Sequence, residues 1–315
     1  MRVFVAGATG VLGLPVVRRL AAAGHEVIGL TRSAAKARLL AALGAEVSVA
    51  DALDAPALRA AVLAARPHAL VHLLTALAGR SLRRPSDLAA TNALRTAGTR
   101  TLLDAAAGAG VRRFVAESMV LAYGYGAHGD RPLTEDDPPA RRASDPALQA
   151  AVDALRSLEE QVIAASAAWR VEGSALRLGV LYGPGASDAS VAALRRRALP
   201  LPGGGRGAAL PVVHVEDAAD ALVRALDGSR PGAVYNVAEP AAAPLGEWYA
   251  AMARAAGAPP PRSMPMWLAR RVAPFAAALF ETRLAVSSER ARRELGWAPR
   301  AGDTRDCVAS PAPPP

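Results

Sequence analysis

Through the first 180 positions, short apolar runs rich in β-branched residues alternate with longer alanine- and leucine-rich stretches whose apolar positions recur with a helical period. The runs predict strands at Arg2–Ala6, Glu26–Leu30, Glu46–Val49, Ala69–Leu74, Arg113–Glu117 and Ser174–Val180. The stretches between them predict helices at about Val11–Ala23, Ala34–Leu43, Ala55–Ala65, Asp87–Ala109 and Ala147–Ala168. Alternation of this kind is the signature of βαβ units, so the expected class is α/β with a parallel sheet. After Val180 the order loosens into a Pro/Gly loop, a helix carrying three arginines, the loop "LPGGGRG", the strand "LPVVHV" and the helix "EDAADALVRAL". The expected organisation is a sheet domain over 1–180 to which 211–238 return, a smaller and mostly helical lobe from 181–210 and 239–306, and a disordered proline-rich tail at 307–315.

Composition narrows the functional classes. A chain of 315 residues with 52% hydrophobic content has enough apolar material for a large core. No apolar run reaches the roughly 18 residues of a membrane span, and the first residues enter a strand pattern directly, so no membrane association and a cytoplasmic location are expected. The single cysteine, Cys307, rules out a disulfide framework or a cysteine metal site, and no metal is expected. A net charge of +9 raises nucleic acid as a partner, but the cations are scattered arginines with one lysine, Lys36, so a small-molecule substrate is expected instead. Arg195, Arg196 and Arg197 form the one tight run, read as a solvated helix face, with an anionic substrate group as the alternative. Trp248, Trp267 and Phe280 are assigned to core rather than pocket.

The strongest chemical signal is "MRVFVAGATGVLGLPVVRRL", which sets Gly7, Gly10 and Gly13 after a strand and at a helix start. Missing side chains there let backbone N–H groups approach a pyrophosphate at the positive end of the helix, with Thr9, Val11 and Leu12 completing the turn. Where an acidic residue would hold the ribose 2′-hydroxyl of NAD, the chain reads Thr31-Arg32-Ser33, with Lys36 one turn on. Positive charge favours a 2′-phosphate, so NADP(H) is the expected cofactor, with NAD(H) accommodated if Arg32 only stacks on adenine. Asp51 and Leu53 are placed at the adenine, and Leu74, Thr75 and Ala76 beside the adenosine ribose and phosphates.

Eight motifs in order, among them "GATGVLG", "VHLLTAL", "RRFVAESMVLAYGYG", "LRLGVLYGPG" and "VVHVEDAADAL", resemble the extended, or atypical extended, short-chain dehydrogenase/reductase family, also described as epimerase/dehydratase-like. The resemblance implies a Rossmann-type doubly wound sheet with a smaller substrate lobe, and a homodimer is compatible with it. It also implies that Tyr182, Gly183 and Pro184 pass the nicotinamide, with backbone atoms meeting the carboxamide. A serine or threonine after the fifth strand, a tyrosine on the next helix and a lysine four residues later are the family's proton-transfer machinery. Aligned on "LEEQV", that tyrosine falls on Val152 and the lysine on Arg156. Valine carries no proton, and arginine stays charged while still able to donate to a ribose hydroxyl.

Replacement proton donors are sought in "AESMVLAYGYGAHGD". Ser118 is one candidate, although spacing back from Tyr123 puts Met119 in the serine slot. Glu117, buried at a strand end, would have a raised pKa and act as an acid. Tyr123 is preferred to Tyr125 as the phenolic donor. His72 and His214 are assigned structural roles, His128 a surface loop, and Asn92 a helix kink or water path, with a spacing to Gly98 longer than in the family's commonest form. The expected function is NADP(H)-dependent oxidation or reduction of a hydroxyl or carbonyl of a small molecule. The alternative is a non-redox isomerase, cyclase or lyase, or a silent cofactor sensor.

Overall fold

The computed structural model describes residues 1–77, 82–143, 145–168, 171–203, 207–240 and 244–300; Cys307 and the 307–315 tail lie outside the described residues. Seven strands form the main sheet: β1 (Arg2–Ala6), β2 (Glu26–Thr31), β3 (Glu46–Val49), β4 (Ala69–His72), β5 (Arg113–Met119), β6 (Glu172–Leu178) and β10 (Val234–Val237). Their order is β3-β2-β1-β4-β5-β6-β10, and every pairing is parallel. The order reverses between β1 and β4, which opens a crevice at the carboxyl ends of those strands. The expected α/β class and parallel Rossmann sheet are thus the observed architecture.

Helices cover both faces, which is why the central strands read as unbroken apolar runs. On one face α1 (Gly13–Ala22) and α8 (Val215–Gly228) bury Val16, Leu20, Leu222 and Leu226 against Val3, Val5 and Val115. On the other, α3 (Ala55–Ala65), α5 (Thr99–Gly108) and α6 (Gln149–Ala168) pack Leu58, Leu102 and Leu158 on Phe4 and Phe114. Caps set the starts: Ser33 accepts from the Lys36 N–H at the head of α2 (Ala34–Ala42), and Asp54 from the Ala57 N–H at the head of α3.

Three departures from the sequence expectation bear on function. The helix expected over 87–109 is interrupted: a 3₁₀ turn at Pro85–Leu88 leads into α4 (Ala89–Ala93), then a π-helical turn at Leu94–Gly98, then α5. The wide turn holds one more residue than an α-helical one, which accounts for the long spacing from Asn92 to Gly98. The last expected strand splits at Gly179 into β6 and β7 (Val180–Tyr182), because a Cβ on Gly179 would lie 2.8 Å from the Val212 carbonyl carbon on β9 (Val212–His214), the strand that pairs with β7. The strand expected over 69–74 ends at His72.

Beyond β10 the chain forms α9 (Leu245–Ala255), α10 (Met266–Val272) and α11 (Pro274–Glu281), with the short pairing of β8 (Leu201–Pro202) and β11 (Ser263–Met264). Then α12 (Glu289–Leu295) packs on α8 and β10, and the Trp297 indole donates to the Asp217 carbonyl at 2.9 Å. Trp248 and Phe280 are buried as expected, but Trp267 is 69% exposed, since α10 presents it to solvent. The arginines at 195–197, at and just beyond the end of α7 (Asp188–Arg195), are exposed. No described helix is long and apolar enough to cross a membrane.

The most deeply buried ion pair joins α6 to β6. Glu159 accepts from Arg177 Nε at 2.9 Å and Nη2 at 2.7 Å, with both side chains no more than 3% exposed. Removing one partner strands the other charge, so Glu159→Ala should lower the unfolding free energy in urea by about 3–5 kcal/mol. The double change Glu159→Leu, Arg177→Met should cost less than about 2 kcal/mol. A single variant losing under about 1 kcal/mol would show that the pair is not the tie between these elements.

Candidate active site and cofactor cradle

The turn between β1 and α1 is shaped by what its glycines lack. Gly7 has φ +94°, and a Cβ there would sit 2.6 Å from the Leu73 carbonyl oxygen on the chain leaving β4. A Cβ on Gly13 would meet the Gly7 oxygen at 2.2 Å. Gly10 donates to the Gly7 carbonyl at 3.0 Å. The helix therefore begins pressed against its own strand, with no side-chain cap and no acidic residue in its first turn. An uncapped, positively polarised helix end beside a glycine turn fits a dinucleotide diphosphate. Val11 is exposed at this end while Leu12 is buried, and a Cβ on Gly185 would approach Val11 at 3.6 Å, so the Gly183–Gly185 turn closes over the cradle.

At the end of β2, Thr9 and Thr31 hydroxyls lie 3.4 Å apart and Ser33 is committed to capping α2. Arg32 and Lys36 are exposed, and no hydrogen bond or ion pair among the described residues engages either side chain. Asp51 accepts from the Leu53 N–H at 3.0 Å, and Leu53 is 54% exposed at this rim. Leu74, Thr75 and Ala76 follow β4 partly exposed, held by Leu74 N–H to His72 Nδ1 at 3.3 Å and Ala76 N–H to Thr91 Oγ1 at 3.0 Å. Tyr182 is fully buried, its hydroxyl donating to Glu239 at 2.6 Å, so only the backbone of 182–184 is available to a ligand through this residue. His214 caps α8 and meets Tyr182 edge-on, which ties β7 to β9.

The four catalytic candidates separate. Alternation along β5 sends Ser118 into the layer of α6, where it is fully buried and donates to Glu159 at 2.6 Å. Tyr123 belongs to the same interior network: its ring lies under Arg177 at 4.5 Å, and its hydroxyl is 2.7 Å from the Thr134 carbonyl and 3.0 Å from Asn236 Oδ1. The buried stripe runs from Leu148, at the end of the 3₁₀ turn leading into α6, through Ala151, Val152, Leu155 and Glu159 of the helix, all apolar until the last. Arg156 lies on the flank, paired with Asp153 at 2.6 Å and donating to the Ala140 and Arg141 carbonyls at 3.3 Å. Shifting the register by one residue brings no tyrosine or lysine onto the stripe.

Glu117 has the opposite surroundings. It follows Val115 on the other side of β5, is partly open, and has no hydrogen-bond partner among the described residues. Burial pushes its carboxyl up to about 7 and prevails over the attraction of nearby Arg95. Arg95 projects from the π-helical turn, is 4% exposed, and lies within electrostatic reach of Glu117, Tyr125 and His72. The turn is fixed by a relay in which Thr99 Oγ1 donates to the Arg95 carbonyl at 2.7 Å and lies 3.0 Å from His72 Nε2. Since His72 Nδ1 accepts from Leu74, Nε2 carries the proton; burial, then Arg95, lowers this imidazole to about 3 and keeps it neutral. Burial pushes the Tyr125 phenol up to about 12, and its ring meets Phe275 edge-on at 6.3 Å. Sequence reasoning missed Arg95, though a signal was available: the residue falls within the stripe Thr91, Leu94, Gly98, Thr99, Leu102, all buried.

The comparisons with known proteins agree with this geometry. Residues 3–238 match the NAD dependent epimerase/dehydratase family. A 3-diazoavenalumate denitrifying reductase from a Streptomyces species is 43% identical over 313 residues, which cover 97% of this chain and 98% of that protein. Two solved structures share the fold: UDP-glucose 4-epimerase of Thermus thermophilus in complex with NAD has a TM-score of 0.79 at 24% identity, covering 98% of this chain and 97% of that one. UDP-glucose 4-epimerase of Thermotoga maritima with UDP-glucose also has a TM-score of 0.79, at 20% identity, covering 98% and 96%. The chain is a member of the NAD-dependent epimerase/dehydratase family, and with it an NAD(P)-dependent enzyme.

Proposed function

We propose that this protein is an NADPH-dependent reductase whose acceptor takes a hydride without needing a proton from α6, and that the acceptor class is an aromatic diazonium group lost as N2. The observation that carries this reading is the apolar stripe Leu148, Ala151, Val152, Leu155, where neither a phenol nor an ammonium is available. Reduction of a ketone leaves an alkoxide that must be protonated, so such a stripe is a poor partner for it. A diazonium carbon imposes no such demand: the new C–H bond takes both electrons of the hydride, the C–N bond breaks toward nitrogen, and N2 leaves neutral. The near full-length relative named as a denitrifying reductase supports this class.

Gly7, Gly10, Gly13 and the head of α1 would hold the diphosphate, and Arg32 with Lys36 the 2′-phosphate. When bound, the dihydronicotinamide supplies the hydride. Glu117 and Tyr125 would flank the acceptor, with Arg95 near both. Carbonyl reduction is the second reading, favoured by Tyr125, a phenol without a hydrogen-bond partner among the described residues and close to the Arg95 cation.

Purified protein should consume NADPH with substituted arenediazonium salts and release N2 in equal amount, while simple ketones in the same panel give at most about 1% of that rate. Ketone turnover with inert diazonium salts would favour the second reading. Arg32→Glu should weaken NADPH by about tenfold or more while leaving NADH nearly unchanged; an unaltered preference removes Arg32 from the 2′-phosphate.

Because the folded Glu117 carboxyl titrates near 7 against an ordinary 4.5, the folded state binds more protons than the unfolded one in that window. The stabilisation from this proton is complete below about 4.5 and is lost as pH rises through 7. Relative to wild type, Glu117→Gln should therefore gain stability from pH 5 to 8, on the order of 2 kcal/mol. A constant difference across that range would show that Glu117 titrates normally.

A further inference from the structure

Three polar groups border the carboxyl ends of β4 and β5 with no hydrogen-bond partner among the described residues: the Arg95 guanidinium, the Glu117 carboxylate and the Tyr125 hydroxyl. Arg95 is 4% exposed and Tyr125 6%. The partnerless polar atoms sealed inside the described protein belong to other side chains, so the polar atoms of these two keep a little accessible surface. A guanidinium this buried is costly without an acceptor, and the fold nonetheless spends the His72–Thr99 relay on fixing the turn that carries it. On the side of α6 the neighbours are apolar: Leu121, Leu148, Ala151 and Val152, with Phe275 against the Tyr125 ring.

We propose that Arg95 and Tyr125 form an oxyanion seat that holds a phenolate or carboxylate oxygen of an aromatic substrate, the ring lying against the apolar neighbours. The guanidinium offers planar paired donors and the phenol a third, which matches an oxygen anion and no cation. Charge balance brings in Glu117. With the seat empty, Arg95 and an ionised Glu117 offset one another. An arriving anion leaves one net negative charge in a poorly solvated space, and a proton taken up by Glu117 restores neutrality. Among the described residues, the other titratable groups facing this cluster are Tyr125 and His72; burial holds the phenol protonated and the imidazole neutral, so neither takes up the proton. The seat rests on the reductase reading only for where the reacting carbon lies, and it is tested by binding.

Calorimetric titrations at pH 8 of NADP⁺-loaded protein with cinnamate, 4-nitrophenolate and neutral cinnamamide separate the sources of the anion. At least one anion should bind about tenfold or more tightly than the amide, and which one does identifies carboxylate or phenolate. Arg95→Met should weaken that anion about tenfold or more, Arg95→Lys should recover part of the loss, and Tyr125→Phe should cost about threefold or more. NADP⁺ affinity should change by less than about twofold in all three. Repeating the titration in buffers of different ionisation enthalpy should show uptake of about one proton, abolished in Glu117→Gln. If Arg95→Met does not fold, Arg95→Lys and Tyr125→Phe carry the same comparison. Equal binding of anion and amide, no binding of either anion to wild type, or anion affinity indifferent to these variants overturns the seat. Failure of wild type to bind NADP⁺ counts against the cofactor reading instead, and the same titrations on nucleotide-free protein then decide the seat.

Discussion

The arrangement depends on one close approach of backbone to backbone. Gly13 lets α1 begin against the Gly7 carbonyl, and Gly7, with its positive φ, passes the carbonyl of Leu73 at a distance no side chain permits. Any Cβ at either position would push the helix off the strand and turn its uncapped N–H groups away from the crevice between β1 and β4. The same contact anchors the chain leaving β4, whose next residues include the segment tied to His72 and Thr91. Candidate cradle and candidate reaction centre are therefore parts of one packed unit.

Around that unit the protein divides its polar interior in two. One network, Ser118, Glu159, Arg177, Tyr123 and Asn236, is held by side-chain hydrogen bonds that join α6, β5, β6 and β10, with Arg177 Nη1 left without a partner. It is structural because most of its donors and acceptors are already engaged with one another. The other group, Arg95, Glu117 and Tyr125, has charge and donors but no hydrogen bonds of its own among the described residues. The two groups meet along β5, where Ser118 directly follows Glu117 and strand alternation sends them opposite ways.

This division explains how much the sequence disclosed. The parallel sheet was legible because strands buried on both faces leave continuous apolar runs, and the cradle because a glycine triplet after such a run has few other uses. The catalytic side was less legible. Hydroxyl side chains look equally available in a sequence, and only packing shows that Ser118 and Tyr123 are already bonded. The π-helical turn has no composition cue, so a single continuous helix was expected over 87–109 and Arg95 passed as one more surface arginine. The break at Gly179 likewise follows from a distant strand, β9, rather than from local propensity.

In the reaction proposed for this protein, a hydride and no proton from α6 completes the reduction. The most direct measurement follows the atom itself, using NADPH deuterated at both C4 positions with an arenediazonium acceptor, and mass spectrometry of the arene. One deuterium is expected at the carbon that lost nitrogen. An arene carrying only solvent hydrogen there, with the nicotinamide label retained, would contradict it.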